Sequence, residues 1–146
     1  MQQTLSNSLN DQINERSPGL QAENPDLIGK TIMIVEDVPS NYQLLYAYFS
    51  KSGVKIIHVD NGMDAVAMIS DGVKVDLIIM DIRLPKLNGL MATQQIRTFR
   101  KDIPIIAQTA FAMQSDREMC LKAGCDEFLA KPFRKQELMR IMSKLI

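Results

Sequence analysis

Apolar positions along this chain follow two alternating patterns. Continuous runs occur at Ile32-Met33-Ile34-Val35, at Leu77-Ile78-Ile79-Met80 and at Ile103-Pro104-Ile105-Ile106-Ala107. Short unbroken runs of this kind suit strands buried on both faces, as in a parallel sheet covered by helices. Val54 to Val59 is more polar and reads as an edge strand, and Phe128-Leu129-Ala130 supplies a fifth. Between the runs, apolar residues recur at helical spacing. Pro39 suits a first helical turn and is followed by Tyr42, Leu45, Tyr46 and Phe49, with Gly53 closing the segment. Asn61, with Asp64 three residues on, marks a second helix start, and Gly72 its stop. Asn88-Gly89 precedes Ala92, Ile96 and Phe99. Ser115 to Ala123 carries a thin apolar stripe of Met119, Cys120 and Ala123 and ends at Gly124, while Leu138, Ile141, Met142 and Leu145 give the cleanest period. Strand and helix alternate five times over, which predicts an α/β fold with an open, doubly wound parallel sheet.

The first segment differs from this pattern. It is rich in Gln, Asn and Ser, with Pro18, Gly19 and Pro25 as breakers, and every aromatic residue lies at Tyr42 or later. Leu5, Leu9 and Ile13 allow a short amphipathic helix, but an isolated one is marginal in water. Residues 1–28 are therefore expected to form a flexible extension and residues 29–146 the single folded domain.

Composition narrows the function. Hydrophobic residues make up 46% and charged residues 23%, and 17 basic side chains cancel 17 acidic ones. That balance offers no basic excess for direct nucleic-acid binding or for an anionic membrane surface. No apolar run approaches the roughly 20 residues that span a bilayer, and no secretory leader opens the chain, so no membrane insertion and a cytoplasmic location are expected. Two cysteines, Cys120 and Cys125, match no zinc pattern and read as reduced thiols. With one histidine and no tryptophan, the chemistry falls to carboxylates, hydroxyls and lysines. His58, inside the second strand, reads as a structural or solvent-facing residue away from the active crevice.

In open α/β sheets that crevice lies beyond the carboxyl ends of the strands. The residues following the apolar runs are Glu36 and Asp37, Asp81, Gln108 and Thr109, and Lys131-Pro132. Asp60, after the second strand, falls too far out at the sheet edge. Three clustered carboxylates repel one another and call for a cation. Oxygen ligands with room for water suit magnesium. A lysine and a hydroxyl opposite the metal complete a cradle for a tetrahedral anion, in which a carboxylate can act as the nucleophile toward phosphorus. Gly29-Lys30-Thr31 imitates the end of a phosphate-binding loop, but the earlier glycine is absent (Asn24 stands there) and the tripeptide precedes a strand.

At these residues the chain resembles the receiver domain of two-component response regulators, over about residues 30–146. The resemblance rests on Glu36-Asp37, on Asp81 within Met80-Asp81-Ile82-Arg83-Leu84-Pro85, on Thr109-Ala110 and on Lys131-Pro132-Phe133. It implies a five-stranded sheet in the order 2-1-3-4-5 with five helices. It further implies that Asp81 is the phosphoacceptor, supplied by a phosphohistidine on a histidine kinase or histidine phosphotransfer domain. Asp37 and Asp81 would ligate magnesium directly, Glu36 through water, and the backbone carbonyl of Arg83 would complete the protein ligands. Lys131 would pair with the phosphoryl oxygens, Thr109 would swing to bond one of them, and Phe128 would be the switch aromatic, turning from exposed to buried on phosphorylation. A cis Lys131–Pro132 peptide is expected. The stretch Thr109-Ala110-Phe111-Ala112-Met113, with Asp116-Arg117-Glu118 and Cys120, is most similar to receivers of hybrid histidine kinases. Gln108 departs from the family pattern, being polar where an apolar strand residue is usual.

Two other functions compete. A phosphatase working through an aspartyl phosphate needs a second carboxylate two residues after its nucleophile, and Arg83 stands there. A phosphate-independent binding module would have no use for the full set of acids, hydroxyl and lysine. The expectation is therefore no enzyme beyond self-phosphotransfer and autodephosphorylation. The last helical pattern ends at Ile146, so the chain is expected either to act alone through protein contacts or to be a piece of a larger kinase.

Overall fold

The apolar runs become the strands β1 (Thr31–Val35), β2 (Lys55–Val59), β3 (Leu77–Asp81), β4 (Ile105–Thr109) and β5 (Glu127–Ala130) in the computed structural model, which describes residues 25–110 and 113–146. They form one sheet in the order β2-β1-β3-β4-β5, with every neighbouring pair parallel. Helices α1 (Pro39–Tyr48), α2 (Gly62–Ser70), α3 (Gly89–Phe99), α4 (Gln114–Ala123) and α5 (Lys135–Leu145) fill the crossovers and the carboxyl-terminal end. The doubly wound sheet expected from the sequence is the one observed.

Alternation along the strands builds two cores. Met33, Val35, Ile78, Met80, Ile105 and Ala107 face one side and pack with Ala65 and Ile69 of α2, Ala92 and Ile96 of α3, and Cys120 of α4. Ile32, Ile34, Leu77, Ile79 and Ile106 face the other and pack with Leu45 of α1 and with Leu138, Ile141 and Met142 of α5. Because β1 and β3 are covered on both faces, their residues are almost uniformly buried. β2 lies at the edge and is mostly half-exposed, as its polar sequence implies.

Local chemistry sets the helix starts. Asn61 Oδ1 accepts from the Asp64 amide at 2.8 Å, and Asn88 Oδ1 from the Met91 amide at 2.9 Å, so each satisfies an amide the helix leaves unpaired. Asp116 and Glu137 accept from the amides of Met113 and Arg134 at the heads of α4 and α5. Gly124 ends α4 with φ 113°, a conformation only glycine adopts without strain.

Several boundaries differ from the sequence reading. The first helix stops at Tyr48 with Phe49 as its cap; Gly53 instead turns the chain, at φ 81°, into β2. Tyr46, one of the positions at helical spacing, is exposed. β4 begins at Ile105, because Pro104 has no amide for a ladder, and it runs on through Gln108 and Thr109. Leu27 was assigned to the extension, yet it lies in a 3-10 turn, Pro25–Leu27, and is buried on the α1/α5 side of the sheet. The folded unit therefore begins ahead of residue 29. The helix considered for Leu5, Leu9 and Ile13 lies outside the described residues. Met119 is exposed, so α4 reaches the core through Cys120 and Ala123 alone. Cys120 and Cys125 are both buried free thiols, and a hydrogen bond with Cys120 together with burial pushes the Cys125 thiol up.

Candidate functional site

Parallel strands bring their carboxyl ends to one edge of the sheet, and there the acids meet. Glu36 and Asp37 follow β1, Asp81 and Thr109 are the last residues of β3 and β4, and Lys131 follows β5. One carboxylate oxygen from each of Glu36, Asp37 and Asp81 lies within 4.8 Å of the others. Glu36 is fully buried, Asp81 is 4% exposed, and Asp37 opens to solvent. The loops that support them are tight. A Cβ on Gly89 would lie 2.0 Å from the carbonyl oxygen of Asp81, so only glycine lets the head of α3 close over the end of β3.

Lys131 ties the acids together. Its Nζ donates to Glu36 Oε1 at 2.8 Å and to Asp81 Oδ2 at 2.9 Å. Asp81 Oδ1 accepts from the Arg83 amide at 2.9 Å, and Glu36 Oε2 from the Val38 amide at 3.1 Å. Gln108, the polar departure in β4, points Nε2 toward Glu36 Oε1 at 3.4 Å. Its amide thus faces a carboxylate that would otherwise have one fewer donor. Burial pushes the Glu36 carboxyl above its usual range, against the Lys131 hydrogen bond and together with the Asp81 charge. Burial also works against the Lys131 ammonium, but its bonds to Glu36 and Asp81 outweigh that and hold it above an ordinary lysine. The Lys131 amide donates to the Thr109 carbonyl at 2.8 Å, and the Lys131–Pro132 peptide is cis, as expected.

The donor set fits magnesium. Three carboxylates share a pocket with one ammonium, all the ligand atoms are hard oxygens, and the Asp37 side leaves room for water. Thr109, 2% exposed, stands at the end of β4 opposite Ala130. Phe128 is 7% exposed and lies under the guanidinium of Arg117, 5.6 Å from the ring centroid. An aromatic expected to begin exposed is already buried, because Arg117 and the packing of β5 cover it. Asp60 stays out of the group: its carboxylate accepts from Asn61 instead. Gly29 and Lys30 precede β1, at the opposite edge of the sheet. His58 lies exposed in β2, as expected of a structural or solvent-facing residue, but it is not apart from the site. Its ring contacts the Glu36 carbonyl at 2.9 Å, a link across 22 residues to the main chain that no sequence signal announces.

The family model for the response regulator receiver domain matches residues 32–143, from the second residue of β1 through the whole of β5. The chain belongs to the response regulator receiver family. Among solved receivers, one from a sensor histidine kinase of Pseudomonas aeruginosa PAO1, with magnesium coordinated in its active-site cleft, is 42% identical with a TM-score of 0.74, covering 80% of this chain and 97% of that one. The receiver domain of Saccharomyces cerevisiae Ssk1, solved with the histidine phosphotransfer protein Ypd1, is 30% identical with a TM-score of 0.75, over 82% and 90% of the two chains. The polar-differentiation response regulator DivK of Brucella anthropi is 38% identical, over 70% of this chain and 85% of its own. Probable histidine kinase 6 of Oryza sativa subsp. japonica is 33% identical over 82% of this chain, which spans only 14% of that kinase. This receiver is thus homologous to receivers of two-component systems, including those carried by histidine kinases. Among the described residues, no helix is long and apolar enough to cross a membrane.

Proposed function

We propose that this receiver is a magnesium-dependent phosphoacceptor in a two-component phosphorelay, with Asp81 as the residue phosphorylated. The observation that carries the reading is Lys131 Nζ bridging Asp81 and Glu36 while three carboxylate oxygens converge within 4.8 Å. An oxygen of Asp81 attacks phosphorus as the P–N bond of a phosphohistidine breaks, and the departing imidazole nitrogen keeps the electron pair and takes up a proton. Lys131 exchanges its bond with Asp81 for one to the incoming phosphoryl oxygens, and the Thr109 hydroxyl bonds another. Glu36, Asp37, Asp81 and the Arg83 carbonyl would hold magnesium, which supplies further neutralisation of the phosphoryl charge.

The donor is a histidine kinase or a histidine phosphotransfer domain. A groove of about 270 Å³ runs beside Lys131 between α1 and the loop after β5, lined by Asn41, Leu44, Gln108 and Phe133 among others. With Val38 and Leu44 exposed nearby, a donor helix approaching Asp81 meets an apolar rim, consistent with a protein donor. A phosphorylation-dependent protein surface in the cytoplasm is the output, with Thr109 and Phe128 as the switch pair. Hydrolysis of outside phosphoesters is not part of the reading, since Arg83 stands where a general acid is needed. Acetyl phosphate with magnesium should label the protein, and Asp81→Asn should keep the fold and lose the label. Full labelling of Asp81→Asn, or sustained turnover of p-nitrophenyl phosphate, would overturn it.

A further inference from the structure

Asp37 is exposed, so packing around its side chain does not hold it, and its backbone must place the carboxylate. We propose that His58 is a positioning residue for this acidic loop, fixing the Glu36–Asp37 peptide and so the place of the Asp37 carboxylate toward a divalent cation. The inference rests on the magnesium-dependent reading above and deepens it.

The contact is directional. His58 Nε2 lies 2.9 Å from the Glu36 carbonyl oxygen, which can only accept, so Nε2 carries the proton. The neutral Nε2–H tautomer and the imidazolium both satisfy this. The ring is also clamped: it stacks face to face on Tyr42, with centroids 3.6 Å apart and planes 5° apart. Tyr42 sits in the first turn of α1, where its amide bonds the Val38 carbonyl at 3.0 Å. The stack therefore joins β2 to the element that leaves the acidic loop.

Glu36 is then gripped on both backbone groups by consecutive residues of β2. Its amide donates to the Val59 carbonyl at 2.9 Å, and its carbonyl accepts from His58. A peptide unit is planar, so fixing the Glu36 oxygen fixes the Asp37 nitrogen in the same plane. The Glu36 side chain has its own anchors in Lys131, Gln108 and Val38, which do not restrain that plane. His58 itself is exposed on an edge strand, where a purely packing role would have little to bury.

The test uses the full chain carrying His58→Ala or His58→Gln. Titration calorimetry with magnesium chloride should show affinity about threefold to tenfold weaker in His58→Ala, the range for losing one net hydrogen bond. The thermal midpoint should fall by only a few degrees, as the loss of one hydrogen bond and one surface ring stack allows. His58→Gln, whose amide can donate to the same carbonyl, should recover most of the affinity. In metal-free protein, amide signals of Asp37 and Val38 should broaden in His58→Ala, while those of α5 stay unchanged. Equal magnesium affinity in wild type and His58→Ala, or equal losses in the two variants, would overturn the assignment while leaving the phosphoacceptor reading intact. Failure of the wild type to bind magnesium would instead remove the metal reading, and unchanged metal-free Asp37 and Val38 signals would then remove the positioning role as well.

Discussion

Lys131 lies between two carboxylates that water barely reaches, and its own side chain keeps only 17% exposure. Removing it leaves Glu36 and Asp81 facing each other without a counter-charge. Lys131→Met should therefore lower stability at neutral pH by about 2–3 kcal/mol, a little under the cost of breaking a fully buried pair because solvent still reaches this edge. Lys131 and Glu36 both have raised values in the folded state, so the sign is set. The Lys131 contribution is complete below the ordinary lysine value of 10.5 and is lost as pH rises through its higher folded value. Glu36 favours the folded state only when protonated, and this contribution fades as pH rises from 4.5 through its folded value. Urea unfolding at pH 5 and pH 8 should thus show a larger deficit for Lys131→Met at pH 8. At the surface, the Arg100 hydrogen bonds draw Asp102 down to about 2. Carbon-detected titration should find that midpoint, and Arg100→Ala should return it toward 3.8. Lys131 was legible as a strand-end residue; its choice of one oxygen from each acid was not, because those partners lie 95 and 50 residues away.

Among the elements, capping was readable because its chemistry is local. Asn61 and Asn88 start their helices through bonds three residues long. Gly53 misled as a helix stop because a positive φ serves a turn into a strand equally well. Gly89 follows the Asn88 cap for a reason of close approach: any Cβ there meets the Asp81 carbonyl. Gly89→Ala should cost about 1–3 kcal/mol through overpacking and shift the amide signals of Asp81 and Ile82, seen by urea unfolding and NMR. Leu27 was hidden because two adjacent apolar residues between Asp26 and Gly29 are too few to show a period. Its full burial beside Ile32 and Phe49 predicts that Leu27→Ala loses about 2–5 kcal/mol, whereas a residue of a free extension would lose nothing measurable.

For the whole molecule, α4 touches the core only through the small side chains of Cys120 and Ala123. It also carries Arg117 over Phe128. Drawing Thr109 toward a phosphoryl group on Asp81 would alter the packing between β4 and β5 and so the seat of that ring. Since Phe128 begins buried, the expected change is a shift of α4 and its Arg117 cover rather than the burial of an exposed ring. Hydrogen exchange with and without beryllium fluoride and magnesium should show altered protection across residues 113–130. Changes confined to the Asp81 loop would make the protein a relay without this output.

The order of strands and helices, the two-sided burial of the central strands and the gathering of Glu36, Asp37, Asp81, Thr109 and Lys131 at one edge were all determined by the sequence alone. The alternation along the chain and the burial follow from hydrophobic period, which residues a few positions apart set. The common edge follows from parallel crossovers, while the sheet order was implied by the family resemblance. Only the tertiary structure decided that Lys131 bridges Glu36 and Asp81, that Leu27 belongs to the core, that Phe128 starts covered and that His58 reaches the Glu36 carbonyl. A rotamer or a side-chain hydrogen bond is chosen by whichever remote groups occupy the surrounding space, and that choice exists only once the sheet has closed.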